Sequence, residues 1–96
     1  MYKFKSKVWL YSGEAAWYFV TLPKDVARQI DFEHGHNKAG FGSLRVRVSI
    51  GSTTWQTSRF TDTKSNSYML PIKASVRKSE GIDAGKTVQV VLEIIT

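Results

Sequence analysis

The sequence predicts a mostly-β domain with two short helices, in which two related halves close a single barrel-like core. Several segments alternate apolar and polar residues with the period of two that a half-buried strand requires. Two Leu-Pro pairs, Leu22-Pro23 and Leu70-Pro71, each precede a short segment with helical spacing. The same features then recur in the same order in both halves, which indicates an internal repeat.

Two strands are predicted at the start of the chain. Residues 2–10 alternate apolar side chains with lysines and Trp9, so they predict one strand with an inner and an outer face. Residues 11–14 have the composition of a turn. Aromatic and β-branched residues over 17–22 predict the second strand.

A helix is predicted to follow directly. Pro23 lacks the N–H that a strand ladder needs but suits a first helical turn. Val26 and Ile30 are four residues apart and share one helical face, which predicts a helix over 23–30 that docks by that face. Residues 31–40 show no regular pattern and predict an exposed loop.

A hairpin is predicted in the middle of the chain. Residues 44–50 alternate without interruption, which predicts a strand with a basic outer face. Gly51-Ser52 fits a two-residue turn, and residues 54–60 are expected to form the returning strand.

The last part of the chain predicts a strand, a helix and a strand. A short strand over 68–70 is closed by Pro71, and a helix is expected over 73–80. Gly81 stands where a left-handed cap ends such a helix. Alternating apolar residues over 88–94 predict the final strand.

The repeat is predicted to cover roughly residues 17–50 and 68–95. Each half has a strand ending in Leu-Pro, a short helix, and a Gly (Gly42 or Gly85) before a strand. Four apolar pairs align in these last strands: Leu44 with Val88, Val46 with Val90, Val48 with Leu92, and Ile50 with Ile94. One copy could not close its sheet, whereas two copies related by a pseudo-two-fold axis could form a single core.

Two resemblances are carried by these residues. The second half, from Leu70-Pro71 through Arg77 and Gly81-Ile82 to Val88, is similar to the swapped-hairpin unit of the AbrB and MazE transcription factors, in which two copies bind DNA. Almost the whole chain resembles a family of small bacterial domains of unknown function (family number nineteen-oh-five), often joined to a YdeI/OmdA-like domain. The matching positions are Trp17, Phe19-Val20, Leu22-Pro23, Gly42, Val46, Val48, Gly51, Trp55, Ser58, Tyr68, Leu70-Pro71, Lys73, Val76-Arg77, Gly81-Ile82 and Gly85. This family implies a double-split β-barrel and no established activity.

Length and composition set the class of protein. A chain of 96 residues corresponds to a single domain spanning 1–96. Cysteine is absent, which favours a reducing compartment. No apolar stretch has the length of a signal peptide core or a membrane span, so we expect a cytoplasmic protein without membrane contact. The formal charge of +6 is compatible with nucleic acid or another polyanion as partner.

Catalytic and metal-binding patterns are absent from the sequence. His34 and His36 have the spacing of a metal pair, and Asp31 or Glu33 could complete it, but the segment is expected to be a solvated loop. Both histidines lie in that one segment, and no Gly-x-Ser-x-Gly elbow or phosphate-cradling loop occurs. We therefore expect no enzymatic activity, no catalytic residue, no metal and no cofactor.

Basic residues are the candidates for a binding surface. Lys73 and Arg77 share a helical face beside Lys78, Arg45 and Arg47 share the outer face of a strand, and Arg59 lies on a strand face with Trp55 and Thr57. The leading hypothesis is a binding module that contacts nucleic acid through these residues. A structural alternative is that Arg77 pairs with Glu80 or with a strand-end carbonyl and holds its helix in place.

Two other functions stay open: a small-ligand or peptide-binding domain in a stress or toxin-resistance context, and a protein-interaction accessory domain. A continuous basic face would favour nucleic acid, a pocket lined by Trp and Tyr a small ligand, and a large exposed apolar patch a protein or domain partner. The sequence does not determine the oligomeric state, nor whether Trp17 and Trp55 belong to the core or to a site.

Overall fold

A computed structural model describes residues 1–13, 16–34 and 44–95 of the chain, and these residues form seven strands and two helices. The elements in chain order are β1 (Tyr2–Lys7), β2 (Trp9–Ser12), β3 (Ala16–Thr21), α1 (Lys24–His34), β4 (Leu44–Ile50), β5 (Thr53–Asp62), β6 (Ser67–Pro71), α2 (Ala74–Glu80) and β7 (Thr87–Ile94). The described strands form a curled antiparallel sheet in the order β1-β7-β4-β5-β6-β3-β2. The prediction of a mostly-β protein with two short helices is confirmed.

The first predicted strand is in fact two strands that meet at Val8. Val8 is buried, and its N–H donates to the Lys86 carbonyl while its own carbonyl accepts from the Gly85 N–H. Up to this point the chain pairs with β7, and from Trp9 onward it pairs with β3. Because the pairing partner changes at Val8, the inner face of β1 does not continue into β2, and Leu10 is exposed rather than buried.

The strands predicted to form the core do so. β4 pairs with β5 on one side and with β7 on the other, so both of its edges are hydrogen-bonded inside the sheet. Of the eight apolar side chains aligned between the two halves, seven are buried, and Ile94 is half-buried against them. Gly51 has φ +60 in the two-residue turn between Ile50 and Thr53, which confirms the predicted hairpin.

Helix α1 is longer than predicted and continues to His34, so the expectation that the loop begins at residue 31 is wrong. The extension is stabilised from outside the helix: the Tyr2 hydroxyl donates to Glu33, and the Tyr2 and His34 rings make an edge-to-face contact. Local sequence could not indicate this, because Tyr2 precedes Glu33 by 31 residues. His36 and Gly42 lie outside the described residues, as does Glu14 in the predicted first turn.

Helix α2 ends as its sequence predicts. Gly81 adopts the left-handed conformation with φ +61 and donates its N–H to the Arg77 carbonyl. Ile82 also donates its N–H to that carbonyl, and its side chain is buried, so the chain folds back onto the helix.

The two Leu-Pro pairs do not occupy equivalent positions. Helix α1 begins at Lys24, directly after Pro23. Helix α2 begins at Ala74, so Ile72 and Lys73 separate it from Pro71. The alignment of Leu22-Pro23 with Leu70-Pro71 is therefore out of register with the helices.

Candidate binding site

The two arginines of β4 lie on the outer face of the sheet, as predicted, but each has a local partner. Arg45 donates to the Ser58 hydroxyl over 3.3 Å. Arg47 forms an ion pair with Glu93 on the neighbouring strand β7. The charge of Arg47 is thus largely balanced by its neighbour, which weakens this pair as a polyanion-binding cluster.

Arg59 was expected on a basic surface, and that placement is wrong, because its side chain is completely buried. Its Nη2 donates to Asp31 Oδ1 over 2.9 Å, and its guanidinium lies over the Tyr68 ring at 3.6 Å from the centroid. The Tyr68 hydroxyl donates to both carboxylate oxygens of Asp31, at 2.9 and 2.8 Å. The Arg59 cluster, comprising Arg59, Asp31 and Tyr68, therefore joins β5, α1 and β6.

The sequence did contain a signal for this burial. Arg59 is four residues after Trp55, so the two side chains share a strand face, as was predicted. Trp55 is buried, and that shared face is the inner one. The compensating acid, Asp31, was missed because its segment was interpreted as an exposed loop.

The basic residues around α2 are placed differently from one another. Lys73 and Lys78 are exposed, whereas Arg77 is half-buried. Arg77 Nε donates to the Ile72 carbonyl over 3.2 Å, just after the end of β6. Its guanidinium lies over the Tyr18 ring of β3 at 3.8 Å from the centroid. Arg77 thus makes the contact with a strand-end carbonyl that the structural alternative named, whereas Glu80 accepts from Thr53 and not from Arg77.

Arg77 also lines an open cleft of about 360 Å³ between β3, β5 and α2. We call it the Trp cleft; the lining residues that matter chemically are Trp17, Tyr18, Trp55, Pro71, Lys73 and Arg77. Trp55 is 8% exposed and forms part of the wall, whereas Trp17 is 52% exposed and stands at the rim. Trp55 therefore belongs to the core and also lines the cleft, whereas Trp17 lines the cleft without belonging to the core.

The chemistry of the Trp cleft combines flat apolar walls with basic groups. Such a mixture, mostly apolar with a few fixed polar groups, is typical of small-ligand sites, whose volumes begin near 300 Å³. Arg77 forms no ion pair with any residue that the structure describes. Its terminal amino groups are therefore available to a ligand.

An aromatic face adjoins the cleft on the outer side of β2 and β3. The Phe19 ring contacts those of Trp9, Tyr11 and Trp17, with centroids 5.0, 6.5 and 6.1 Å away. Tyr11 and Phe60 are substantially exposed, and with Trp17, Phe19 and Met69 they line a shallow apolar hollow. Trp17 lines both the hollow and the cleft.

Neither a metal site nor a membrane span is found where the structure can be described. In residues 1–13, 16–34 and 44–95, no group of three or more His, Cys, Asp or Glu side chains is placed to bind a metal ion. Within the same ranges, no helix has the length and apolar character that crossing a bilayer demands.

Fold and site together define a small antiparallel β domain with two helices and an open aromatic cleft. The chain belongs to the family described as "Domain of unknown function (DUF1905)", whose model matches residues 4–92. This match confirms the family resemblance seen in the sequence. No curated protein matches the chain.

Proposed function

We propose that the protein is a non-enzymatic binding module that holds a ligand with a planar apolar part in the Trp cleft. The observation that carries the proposal is the convergence of Trp17, Tyr18 and Trp55 on one cleft beside the guanidinium of Arg77. A flat ring entering the cleft would contact the rim tryptophan and the aromatic wall, and would exclude water from both.

The cleft is favoured over a basic surface for three reasons. Arg47 is neutralised by Glu93, and Arg59 is buried against Asp31. Arg77 is oriented by Tyr18 and Ile72 toward the cleft region rather than extended on the helix surface. Of the other candidate residues, Lys73 and Arg77 line the cleft, so a binding site that uses these two is centred there.

Single-stranded nucleic acid is the second candidate. Trp17 is 52% exposed, and Lys73 and Arg77 line the same cleft. Stacking of a base on an exposed ring, with phosphates against nearby cations, is how proteins bind single strands without sequence preference. The exposed aromatic face adjoining the cleft would extend such a stacking surface.

The proposal can be tested by intrinsic tryptophan fluorescence. Titration with adenosine and a tyrosine-containing dipeptide should give saturable quenching with at least one probe, because Trp17 and Trp55 line the cleft. Trp17→Ala should abolish that binding. Phe32→Ala removes an aromatic ring that is 91% exposed on α1, outside the cleft lining, and should leave it unchanged. If no probe saturates at millimolar concentration, or if both variants behave alike, the cleft is not the site.

We also propose that the sheet is a double-split β-barrel of two duplicated halves, in a register set by Tyr18 and Tyr68. The Leu22 N–H donates to the Tyr68 carbonyl at 2.9 Å, and the Ile72 N–H donates to the Tyr18 carbonyl at 2.8 Å. Reciprocal bonds of this kind are expected on either side of a two-fold axis between β3 and β6. Tyr18 then corresponds to Tyr68 and Leu22 to Ile72, with a helix beginning two residues later in each half.

The strand pairing supports the same duplication. β5 pairs with β4 along its first part and with β6 along its last part. β1 pairs with β7 and β2 pairs with β3, so β1 and β2 together occupy the position of β5 in the other half. Because β1 and β2 join at Val8, the strand order closes on itself, as in the AbrB-like barrels that the second half resembles. A cytoplasmic location, suggested by the absence of cysteine, completes the proposal.

A further inference from the structure

We propose that Arg77 recognises an oxyanion, so that the ligand of the Trp cleft is a planar molecule carrying a carboxylate or phosphate group. This inference rests on the proposed function and specifies the class of ligand. It assigns to Arg77 a recognition role in addition to its contact with the Ile72 carbonyl.

The guanidinium of Arg77 is held in place on two sides. One face lies over the Tyr18 ring at 3.8 Å, and Nε is bound to the Ile72 carbonyl at 3.2 Å. Restriction by these two contacts removes much of the conformational freedom that a long side chain would lose on binding a ligand. An arginine fixed before the ligand arrives therefore binds an anion at a smaller entropic cost than a free surface lysine does.

The two contacts leave the terminal amino groups of Arg77 for the ligand. The stacked face uses the π-system, and Nε is used by the carbonyl, so the edge that carries Nη1 and Nη2 has no partner among residues 1–13, 16–34 and 44–95. Among the described residues no carboxylate pairs with it, and the nearby acid of α2, Glu80, accepts from Thr53 and Ser52 instead. Paired N–H groups on this edge match the two oxygens of a carboxylate or phosphate.

The residues around Arg77 favour a ligand that is planar as well as anionic. Trp17 and Trp55 line the same cleft, and Lys73 contributes a second positive charge to the lining. A ring against the tryptophans and an oxyanion at Arg77 would satisfy both parts of the lining at once. A simple anion without a ring would leave the apolar wall in water and would bind weakly.

The experiment compares neutral and anionic partners of the same ring. Indole against indole-3-acetate tests a carboxylate, and adenosine against adenosine monophosphate tests a phosphate, all by isothermal titration calorimetry on the full chain. In at least one pair the anionic compound should bind about ten- to a hundredfold more tightly, the range expected for charge-assisted hydrogen bonds. The pair that shows the larger preference identifies the oxyanion.

Three variants then test which residue causes the preference for the anionic compound. Arg77→Gln should reduce the preference to about unity while binding of the neutral ring persists, which also shows that the variant is folded. Arg77→Lys keeps the charge but loses the paired N–H edge, and should recover only part of the preference. Lys64→Gln removes an exposed charge on the turn between β5 and β6, outside the cleft lining, and should leave the preference unchanged.

The outcomes separate the two proposals. Three results would each overturn the role of Arg77 while the cleft stands. They are equal binding of neutral and anionic compounds by the wild type, retention of the preference in Arg77→Gln, and an equal loss of the preference in Lys64→Gln. Absence of binding by all four compounds would overturn the cleft itself, and the role of Arg77 with it.

Discussion

The guanidinium of Arg59 lies 3.6 Å from the centroid of the Tyr68 ring, and both side chains bind the carboxylate of Asp31. The Arg59 side chain is completely buried, and Nε and Nη1 have no hydrogen-bond partner in the described part of the chain. Asp31 therefore provides the carboxylate that balances a charge withdrawn from water. Three elements of the fold depend on this single acid.

Asp31→Asn is expected to destabilise the protein strongly. Removing one partner of a buried ion pair leaves the other charge uncompensated, which typically costs about 3–5 kcal/mol. Urea unfolding followed by tryptophan fluorescence would measure the loss. Asp25→Asn changes an exposed acid on the same helix and is expected to alter stability by less than about 0.5 kcal/mol. Equal effects of the two substitutions would contradict a structural role for the Arg59 cluster.

The pH dependence of stability should contain a contribution from Tyr2. Burial, followed by the hydrogen bond to Glu33 and its negative charge, raises the pKa of Tyr2 from 10.0 to about 12. Between these values the unfolded chain loses the tyrosine proton while the folded chain keeps it. The Tyr2 contribution is therefore fully present below pH 10, declines as the pH rises, and is lost above about 12.

Tyr2→Phe isolates this contribution, because phenylalanine cannot ionise. The difference in unfolding free energy between wild type and variant should shrink between pH 10 and 12, while spectrophotometric titration should show one tyrosine ionising late. Tyr11 is exposed on β2, so Tyr11→Phe serves as the matched control for the removal of a tyrosine hydroxyl. A difference between wild type and Tyr2→Phe that stays constant across this range would show that Tyr2 ionises alike in both states.

Two glycines with the same φ allow the cost of backbone strain to be separated from the cost of steric obstruction when alanine replaces glycine. Gly51 has φ +60 and Gly81 has φ +61, so alanine is strained by a similar amount at each. A Cβ at Gly81 meets nothing within 4 Å, whereas one at Gly51 would clash with Glu80 Oε1. Glu80 would have to move and give up its hydrogen bond to Thr53.

Gly81→Ala should thus cost about 1 kcal/mol, and Gly51→Ala should cost about 1 kcal/mol more. Thermal unfolding of the two single variants would compare them directly. In a Glu80→Ala background the extra cost of Gly51→Ala should disappear, since the obstructing carboxylate is gone. Persistence of the difference in that background would mean that the hairpin turn, and not Glu80, resists the side chain.

Features of the fold could be predicted from the sequence where the interacting residues are close together along the chain. The hairpin at Gly51 and the cap at Gly81 depend on neighbouring residues, and both were predicted correctly. The end of α1 depends on Tyr2, and the burial of Arg59 depends on Asp31, each separated by about thirty residues along the chain. Local alternation of apolar and polar residues does not reveal partners that are so far apart in sequence. The start of the loop after α1 and the exposure of Arg59 were therefore predicted wrongly.

Local sequence patterns could not predict the Trp cleft, for the same reason. Its lining comes from β3, β5, the chain after β6, and α2, which meet only in the folded sheet. The individual residues were noticed, since Trp17, Trp55, Lys73 and Arg77 were all considered as candidates. Their convergence depends on the pairing of β3 with β6 and of β6 with β5, which the sequence does not encode in any single segment.

If the Trp cleft binds nucleic acid, it should prefer single strands to duplex. Bases in a duplex are already stacked, so the exposed Trp17 ring could not reach their faces without unpairing them. Fluorescence anisotropy with a labelled oligothymidine and its duplex at low salt should show tighter binding of the single strand. Trp17→Ala should remove this preference and Phe32→Ala should keep it.

The salt dependence of single-strand binding tests the contribution of Arg77. For single strands the logarithm of affinity falls with the logarithm of salt by about 0.7 per phosphate contact, so Arg77→Ala should make that slope shallower by about one contact. Lys64→Ala removes an exposed charge of the turn between β5 and β6, which is not part of the cleft lining, and should leave the slope unchanged. Binding of duplex as tightly as single strand, with all variants alike, would indicate attraction by the net charge of +6 alone and would leave the cleft to small ligands.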